Sequence, residues 1–135
     1  MAETPSLEIR GLHVYYGQSH ALQGVDLALG HGVLSVVGRN GMGKTTLCKA
    51  IMGLQPAAGG TIQFRGKPLT GRAPAEIARL GIGYVPQGRR LWPSLSVDEH
   101  LRLVARSGGS WTTERIYTTF PRLAERRQNG GGQLS

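Results

Sequence analysis

"VLSVVGRNGMGKTTLCKAIMGL", residues 33–54, changes texture twice within one short run. Its first six residues, 33 to 38, are nearly all apolar and rich in β-branching, which predicts a short strand covered on both faces. Its last part places Leu47, Ala50, Ile51 and Leu54 on one helical stripe, with Gly53 and Pro56 where the helix should stop. Between them lies "GRNGMGKTT", residues 38–46, which satisfies the pattern G-x-x-x-x-G-K-[ST] through Gly38, Gly43, Lys44 and Thr45. A strand, a glycine loop and a helix in that order are what a phosphate cradle requires. Backbone N–H groups must curl around anionic oxygens, so side chains are unwelcome at Gly38, Gly41 and Gly43. Arg39, Asn40 and Met42 complete the loop's main chain and are counted with it as candidate binders. The helix that starts near Lys44 directs its unpaired N–H groups and positive dipole end at the same anion. Lys44 adds an ammonium for the outer phosphates, Thr45 a hydroxyl for Mg²⁺, and Thr46 a further donor for the innermost phosphate.

Upstream, Leu7 and Ile9 alternate with charged residues, and Leu12, Val14 and Tyr16 resume in the opposite phase. A one-residue slip at Gly11 predicts a bulged strand with one buried face. Val25, Leu27 and Leu29 alternate again, so the two strands form an antiparallel pair turned at residues 17–19. Downstream, "GGTIQF" predicts a strand with Ile62 and Phe64 facing in, and "APAEIARLG" a short helix opened by Pro74 and stopped at Gly81. "IGYVPQ" predicts a strand ended by Pro86. From Leu95 the texture is helical: Ser96 and Glu99 make a capping box, and Val97, Leu101 and Val104 an apolar stripe. After a Ser-Gly-Gly-Ser break, Ile116, Phe120 and Leu123 continue that stripe, with Pro121 as a restart.

The chain has 135 residues, a net charge of +8 and 21 glycines scattered among apolar runs. Length and 39% apolar content fit one globular domain rather than disorder. The basic balance suits a phosphate-rich ligand, nucleic acid or an anionic surface, or else a solvated arginine-rich face. Cys48 is the single cysteine, which excludes an intrachain disulfide and a cysteine zinc cluster and fits a reducing compartment. No apolar run approaches a membrane span and the first residues do not read as a secretory signal.

Taken together, "YYGQSHALQGVDL", "VVGRNGMGKTTL" and "GIGYVPQGRRLWPSLSVDEHL" resemble the nucleotide-binding subunit of an ABC transporter. The resemblance runs from about Leu7 to Ser135. It implies an α/β fold of the P-loop NTPase, ABC ATPase type: an N-terminal antiparallel β subdomain, a strand–P-loop–helix core, and the start of a helical subdomain. Residues 1–94 would form the nucleotide-binding core and residues 95–135 the partial helical subdomain. It also implies ATP with Mg²⁺ as ligands. Tyr16 matches the aromatic that stacks on adenine, while Tyr15 reads better as a core tyrosine on the strand face. Gln87 matches the glutamine whose amide reaches Mg²⁺ and the attacking water, so Lys44 and Gln87 are the candidate catalytic residues and Thr45 and Gln87 the candidate metal contacts. The wording most resembles the smaller ATPase subunit of branched-chain amino-acid importers, with urea and short-chain amide importers as neighbours. Two departures stand out. Many amino-acid importer relatives carry Glu at the position of Gln87, and "LGHGV" replaces the usual acidic-Gly turn before residue 33.

The implied partners are a second ABC ATPase subunit in a head-to-tail dimer, transmembrane permease subunits and, indirectly, a solute-binding protein. The implied location is peripheral, on the cytoplasmic face of the inner membrane. Arg89, Arg90 and Trp92 are candidate permease contacts, although a charged, solvated loop serves equally well for the arginines. In this family "QLS" opens the signature Leu-Ser-Gly-Gly, so Leu134 and Ser135 would be its first residues and the chain would be cut within it. Metal-assisted hydrolysis needs a second carboxylate on Mg²⁺, in P-loop enzymes an aspartate after an apolar strand. The two aspartates here, Asp26 and Asp98, do not fit that position. His13, His20, His31 and His100 read as surface or turn residues, and none matches the family's switch histidine. The expectation is a fragment that binds nucleotide without hydrolysing it. Two rival readings are an ABC-type ATPase acting on nucleic acid, against which no basic stripe with interleaved aromatics is found, and a non-catalytic nucleotide-binding regulator.

Overall fold

The computed structural model describes residues 4–38, 42–88 and 90–133, Met42 by its backbone alone. Contacts divide the chain into two units, Met1–Val85 and Pro86–Ser135.

In the first unit, β1 (Leu7–Tyr16) and β2 (Ser19–Leu29) form the expected antiparallel pair, from Leu7 opposite Leu29 to Tyr16 opposite Ser19. The pairing slips between Ile9 and Leu12, as the phase change predicts. Gly11 takes the left-handed conformation there, φ 56°, and its N–H donates to Asp26 Oδ1 at 2.6 Å. The bulge resets the side-chain parity, so Ile9, Leu12 and Val14 all reach one buried face despite their odd spacing. Strand β3 (Gly59–Phe64) lies antiparallel on the other edge of β1, and β4 (Lys67–Pro68) follows it, giving the order β2-β1-β3-β4. The bulge constrains β3 in turn. A Cβ on Gly60, at φ 88°, would stand 2.3 Å from the Gly11 carbonyl oxygen.

Helix α1 (Met42–Ile51) brings Leu47 and Ala50 onto the cluster of Ile9, Leu12, Val14, Leu22 and Ile62. Met52, Leu69 and Ile77, the last from helix α2 (Pro74–Arg79), complete it. Each fully buried aliphatic side chain contributes about 1.5–3 kcal/mol. Leu54 departs from the expected stripe. Gly53, at φ 73°, turns the chain out of the helix first, and Leu54 is exposed.

The two strands expected at residues 33–38 and 82–87 are not strands here. Val33 is 93% exposed, Val37 87% and Val85 94%. A strand exists through its ladder, and among the described residues neither run has a hydrogen-bonded neighbour. Ile82 and Tyr84 still lean on the core cluster.

In the second unit, α3 (Val97–Val104) opens with the predicted capping box: Ser96 Oγ accepts from the Glu99 N–H at 3.1 Å, and Glu99 accepts from the Ser96 N–H at 3.0 Å. Of its apolar stripe only Val97 is buried, and Val104 is 73% exposed. Helices α4 (Thr113–Thr119) and α5 (Pro121–Glu125) restart at Pro121 as read, but Phe120 is the junction residue and is exposed rather than part of a stripe. Tyr117 Oη donates to Asp98 Oδ1 at 2.7 Å, and Asp98 also pairs with Arg102, tying α4 to α3. The chain then returns along the α3 entry: Asn129 and Leu95 carbonyls accept from the Val97 and Gly131 N–H groups, both at 2.9 Å. Among the described residues no helix is long and apolar enough to cross a membrane.

Candidate functional site

The phosphate loop joins Gly38 to the first turn of α1. Arg39, Asn40, Gly41 and the Met42 side chain lie outside the described residues, as do Arg89, Leu134 and Ser135. What frames the loop is described. Lys44 Nζ donates to the Gly38 carbonyl at 2.5 Å, so the ammonium spans from the helix back to the end of the preceding segment. A Cβ at Gly38 or Gly43 would meet nothing within 4 Å among the described residues. Among the described residues, then, packing does not demand glycine at either position. No acidic residue occupies the first turn of α1, so its positive end is uncompensated. Thr45 is exposed and can present its hydroxyl outward, whereas Thr46 is buried, 1% exposed, with its Oγ1 3.5 Å from Tyr16 Oη. A helix start with no acid in its first turn, one ammonium and an exposed threonine hydroxyl fit a polyphosphate with its divalent cation.

Tyr16 thus ends β1 beside α1, half-buried, in the same unit as the loop. Tyr15 is a correction. It is 42% exposed and stacks on His20, ring centroids 4.1 Å apart and 5° from parallel, because neighbouring strand residues face opposite ways. His20 Nε2 in turn lies 2.9 Å from His13 Nδ1. These two histidines are half-buried and paired, not the plain surface residues expected. Gln87 is exposed in a bend after Pro86 and belongs to the second unit, whereas residues 38–46 belong to the first.

Both aspartates are engaged structurally, Asp26 by the Gly11 bulge and Asp98 by Arg102 and Tyr117. Hydrogen bonds from Arg102 and then Tyr117 hold the Asp98 carboxyl below the ordinary carboxylate range. Among the described residues no three His, Cys, Asp or Glu side chains come together as a metal cluster. Each aspartate carboxylate thus has a structural partner within its own unit.

Residues 22–135 match the family model described as ABC transporter. The chain belongs to the ABC transporter family. Within this family it is similar to the high-affinity branched-chain amino acid transport ATP-binding protein BraG of Pseudomonas aeruginosa, at 35% identity over 130 residues, covering 90% of this chain and 54% of that protein. It is also similar to the ribose import ATP-binding protein RbsA 2 of Escherichia coli O157:H7, at 39% identity over 104 residues, covering 76% of this chain and 21% of that one. The chain therefore spans about half the length of the first relative and a smaller share of the second. A nucleotide-free ATP-binding cassette from an ABC transporter, solved by crystallography, matches with a TM-score of 0.72 at 26% identity over 98% of this chain and 60% of its own. The ABC ATPase form of the P-loop fold follows, with the N-terminal antiparallel sheet in place.

One residue with a defined local role escapes the sequence reading. His100 is not a turn or surface residue but sits inside α3, half-buried, with both ring nitrogens engaged. Its position four residues after the Ser96 cap was the available signal, since that spacing returns a side chain to the helix entry.

Proposed function

We propose that this chain is the ATP-binding part of an ABC importer's ATPase, with ATP and Mg²⁺ as its ligands. The observation that carries the reading is the start of α1, with no acidic residue in its first turn and with Lys44 reaching back from it to the Gly38 carbonyl. In this reading the main chain of residues 38–46, including Arg39, Asn40, Gly41 and Met42, cradles the phosphates. Lys44 moves from the Gly38 carbonyl to the outer phosphates, and Tyr16 stacks on the adenine, an interaction worth about 1–3 kcal/mol that tolerates different bases. Thr45 and Gln87 are the residues that would hold Mg²⁺, which when bound neutralises the phosphate charge. Gln87 would orient the attacking water once the two units and a partner subunit are assembled.

Branched-chain amino acids are the proposed cargo, supported by the BraG similarity. The glutamine at position 87 keeps the urea and amide class as the second reading. The proposed partners are a second ABC ATPase in a head-to-tail dimer and permease subunits at the cytoplasmic face of the membrane, with a solute-binding protein acting through them. Arg90 and Trp92, both exposed, are offered as permease contacts together with Arg89.

Titration with an ATP analogue in the presence of Mg²⁺ tests the core of this reading. Lys44→Ala removes a charge-assisted bond worth about 1.5–3 kcal/mol, a loss of affinity of about 10- to 150-fold. Equal affinity of the wild type and the variant would show that the ligand is held elsewhere.

A further inference from the structure

We propose that His100 is a positioning residue that works as a proton-sensitive clasp, holding the loop after Gln87 against the entry of α3 and the glycine run before Leu134 while it is neutral. Its Nε2 accepts from the Trp92 N–H at 3.0 Å, and its Nδ1 lies 2.8 Å from the Ser96 carbonyl oxygen. Both partners are backbone groups with one role each. An amide can only donate and a carbonyl can only accept, so the proton must sit on Nδ1 and the lone pair on Nε2. The neutral ring has then used its full hydrogen-bonding capacity. A second proton can go only onto Nε2, where it confronts the Trp92 N–H, donor against donor.

The ring stands where three stretches meet. The Trp92 indole stacks on it, centroids 5.8 Å apart and 24° from parallel. From the third side comes Gly131, where a Cβ would lie 3.2 Å from His100 Cε1, 3.0 Å from Leu91 Cβ and 2.7 Å from the Trp92 carbonyl oxygen. Any side chain at 131 would push this junction apart. The ionisable surroundings are sparse: residues 91–95 and 129–133 carry no charged side chain. On α3 itself Asp98 and Arg102 pair with each other, and Glu99, engaged by Ser96, interacts electrostatically with His100. Protonation therefore gains attraction to Glu99 but loses the acceptor that holds Trp92. Histidine is the side chain that ordinarily changes charge between about pH 5 and 8, so acidification across that interval is the perturbation that tests the clasp. The inference rests on the proposed function in one respect only: that reading makes the stretches leading from Gln87 and into Leu134 sensors of nucleotide.

The test uses the chain with Trp111→Phe, which leaves Trp92 as its single indole. Trp92 emission is followed from pH 8 to pH 5, and the ¹⁵N shifts of the His100 ring are recorded at pH 8. The expected result is a neutral ring protonated at Nδ1 and one emission step on acidification. That step should vanish in His100→Gln, whose amide oxygen can still accept from the Trp92 N–H but does not titrate. A ring protonated at Nε2, a flat emission profile, or the same step in His100→Gln overturns the clasp. ATP-analogue binding with and without Lys44→Ala, measured on the same preparation, reports separately on the proposed function: binding that depends on Lys44 without the emission step discards the clasp alone, and the converse discards the nucleotide reading alone.

Discussion

Arg65 and Gly66 turn β3 into β4 with both φ angles positive, 49° and 80°. Phe64 and Lys67 pair on either side, so the connection is a two-residue hairpin turn of the kind that prefers Asn-Gly. An arginine in that left-handed conformation costs about 1–2 kcal/mol. Its guanidinium lies over the Phe64 ring at 5.1 Å, which at an exposed site returns only about 0.5–1 kcal/mol. Strain outweighs stacking. Arg65→Asn is expected to stabilise the first unit by about 0.5–1 kcal/mol, read as a higher urea midpoint with an unchanged slope. An equal or lower midpoint would mean the stack is worth more than the strain. The same scale separates Gly60 from the phosphate-loop glycines. Gly60 is demanded by the chain's own bulge, whereas a Cβ at Gly38 or Gly43 would meet nothing among the described residues.

Helix α3 is short, and only Val97 among its apolar residues is buried, so its entry carries an unusual share of its stability. Ser96→Ala removes the cap and is expected to cost about 1 kcal/mol, read as a lower thermal midpoint of the helical signal. Hydrogen bonds from Ser96 hold the Glu99 carboxyl below its ordinary value, and Arg102 with Tyr117 does the same for Asp98. A carboxyl whose folded pKa is depressed stabilises above its unfolded value and stops doing so as pH falls through the folded one. The helical signal of this unit should therefore hold at neutral pH and decay below about pH 4. Glu99→Gln keeps the cap partner but not the charge and should flatten that acid limb. A steep limb retained in Glu99→Gln would place the titration elsewhere. Elements of this kind were legible from sequence because their cause is local: the box at Ser96 and Glu99, the phase slip at Gly11, the stop at Gly53. Residues 33–38 and 82–87 misled for the opposite reason. Their composition reports a buried strand, but strands are made by neighbours, and no pattern within the run says whether those are at hand. Tyr15 and His100 misled because a partner across the turn or along the helix, not the residue type, decides what a ring does.

At the scale of the whole molecule, nucleotide binding and nucleotide hydrolysis make different demands. Binding needs a loop, a helix end and a cation, which in the proposed reading are residues 38–46, the start of α1 and Lys44. Hydrolysis needs in addition a carboxylate on the metal and a group to orient water. Asp26 is spent on the Gly11 amide and Asp98 on Arg102 and Tyr117, and freeing either would undo the bulge or the α3–α4 tie. Glu99 caps α3, and Gln87, the remaining candidate for the water, opens the other unit. Val33, Val37 and Val85 meanwhile are exposed apolar side chains on which other copies of the chain can settle. The chain by itself is therefore expected to bind ATP–Mg²⁺ while releasing phosphate no faster than buffer does, and to self-associate as its concentration rises. Phosphate release and light scattering on one concentration series check both halves. Turnover that requires Mg²⁺ and disappears in Lys44→Ala would mean that a carboxylate here leaves its structural partner to serve the metal, with Asp26→Asn and Asp98→Asn identifying which.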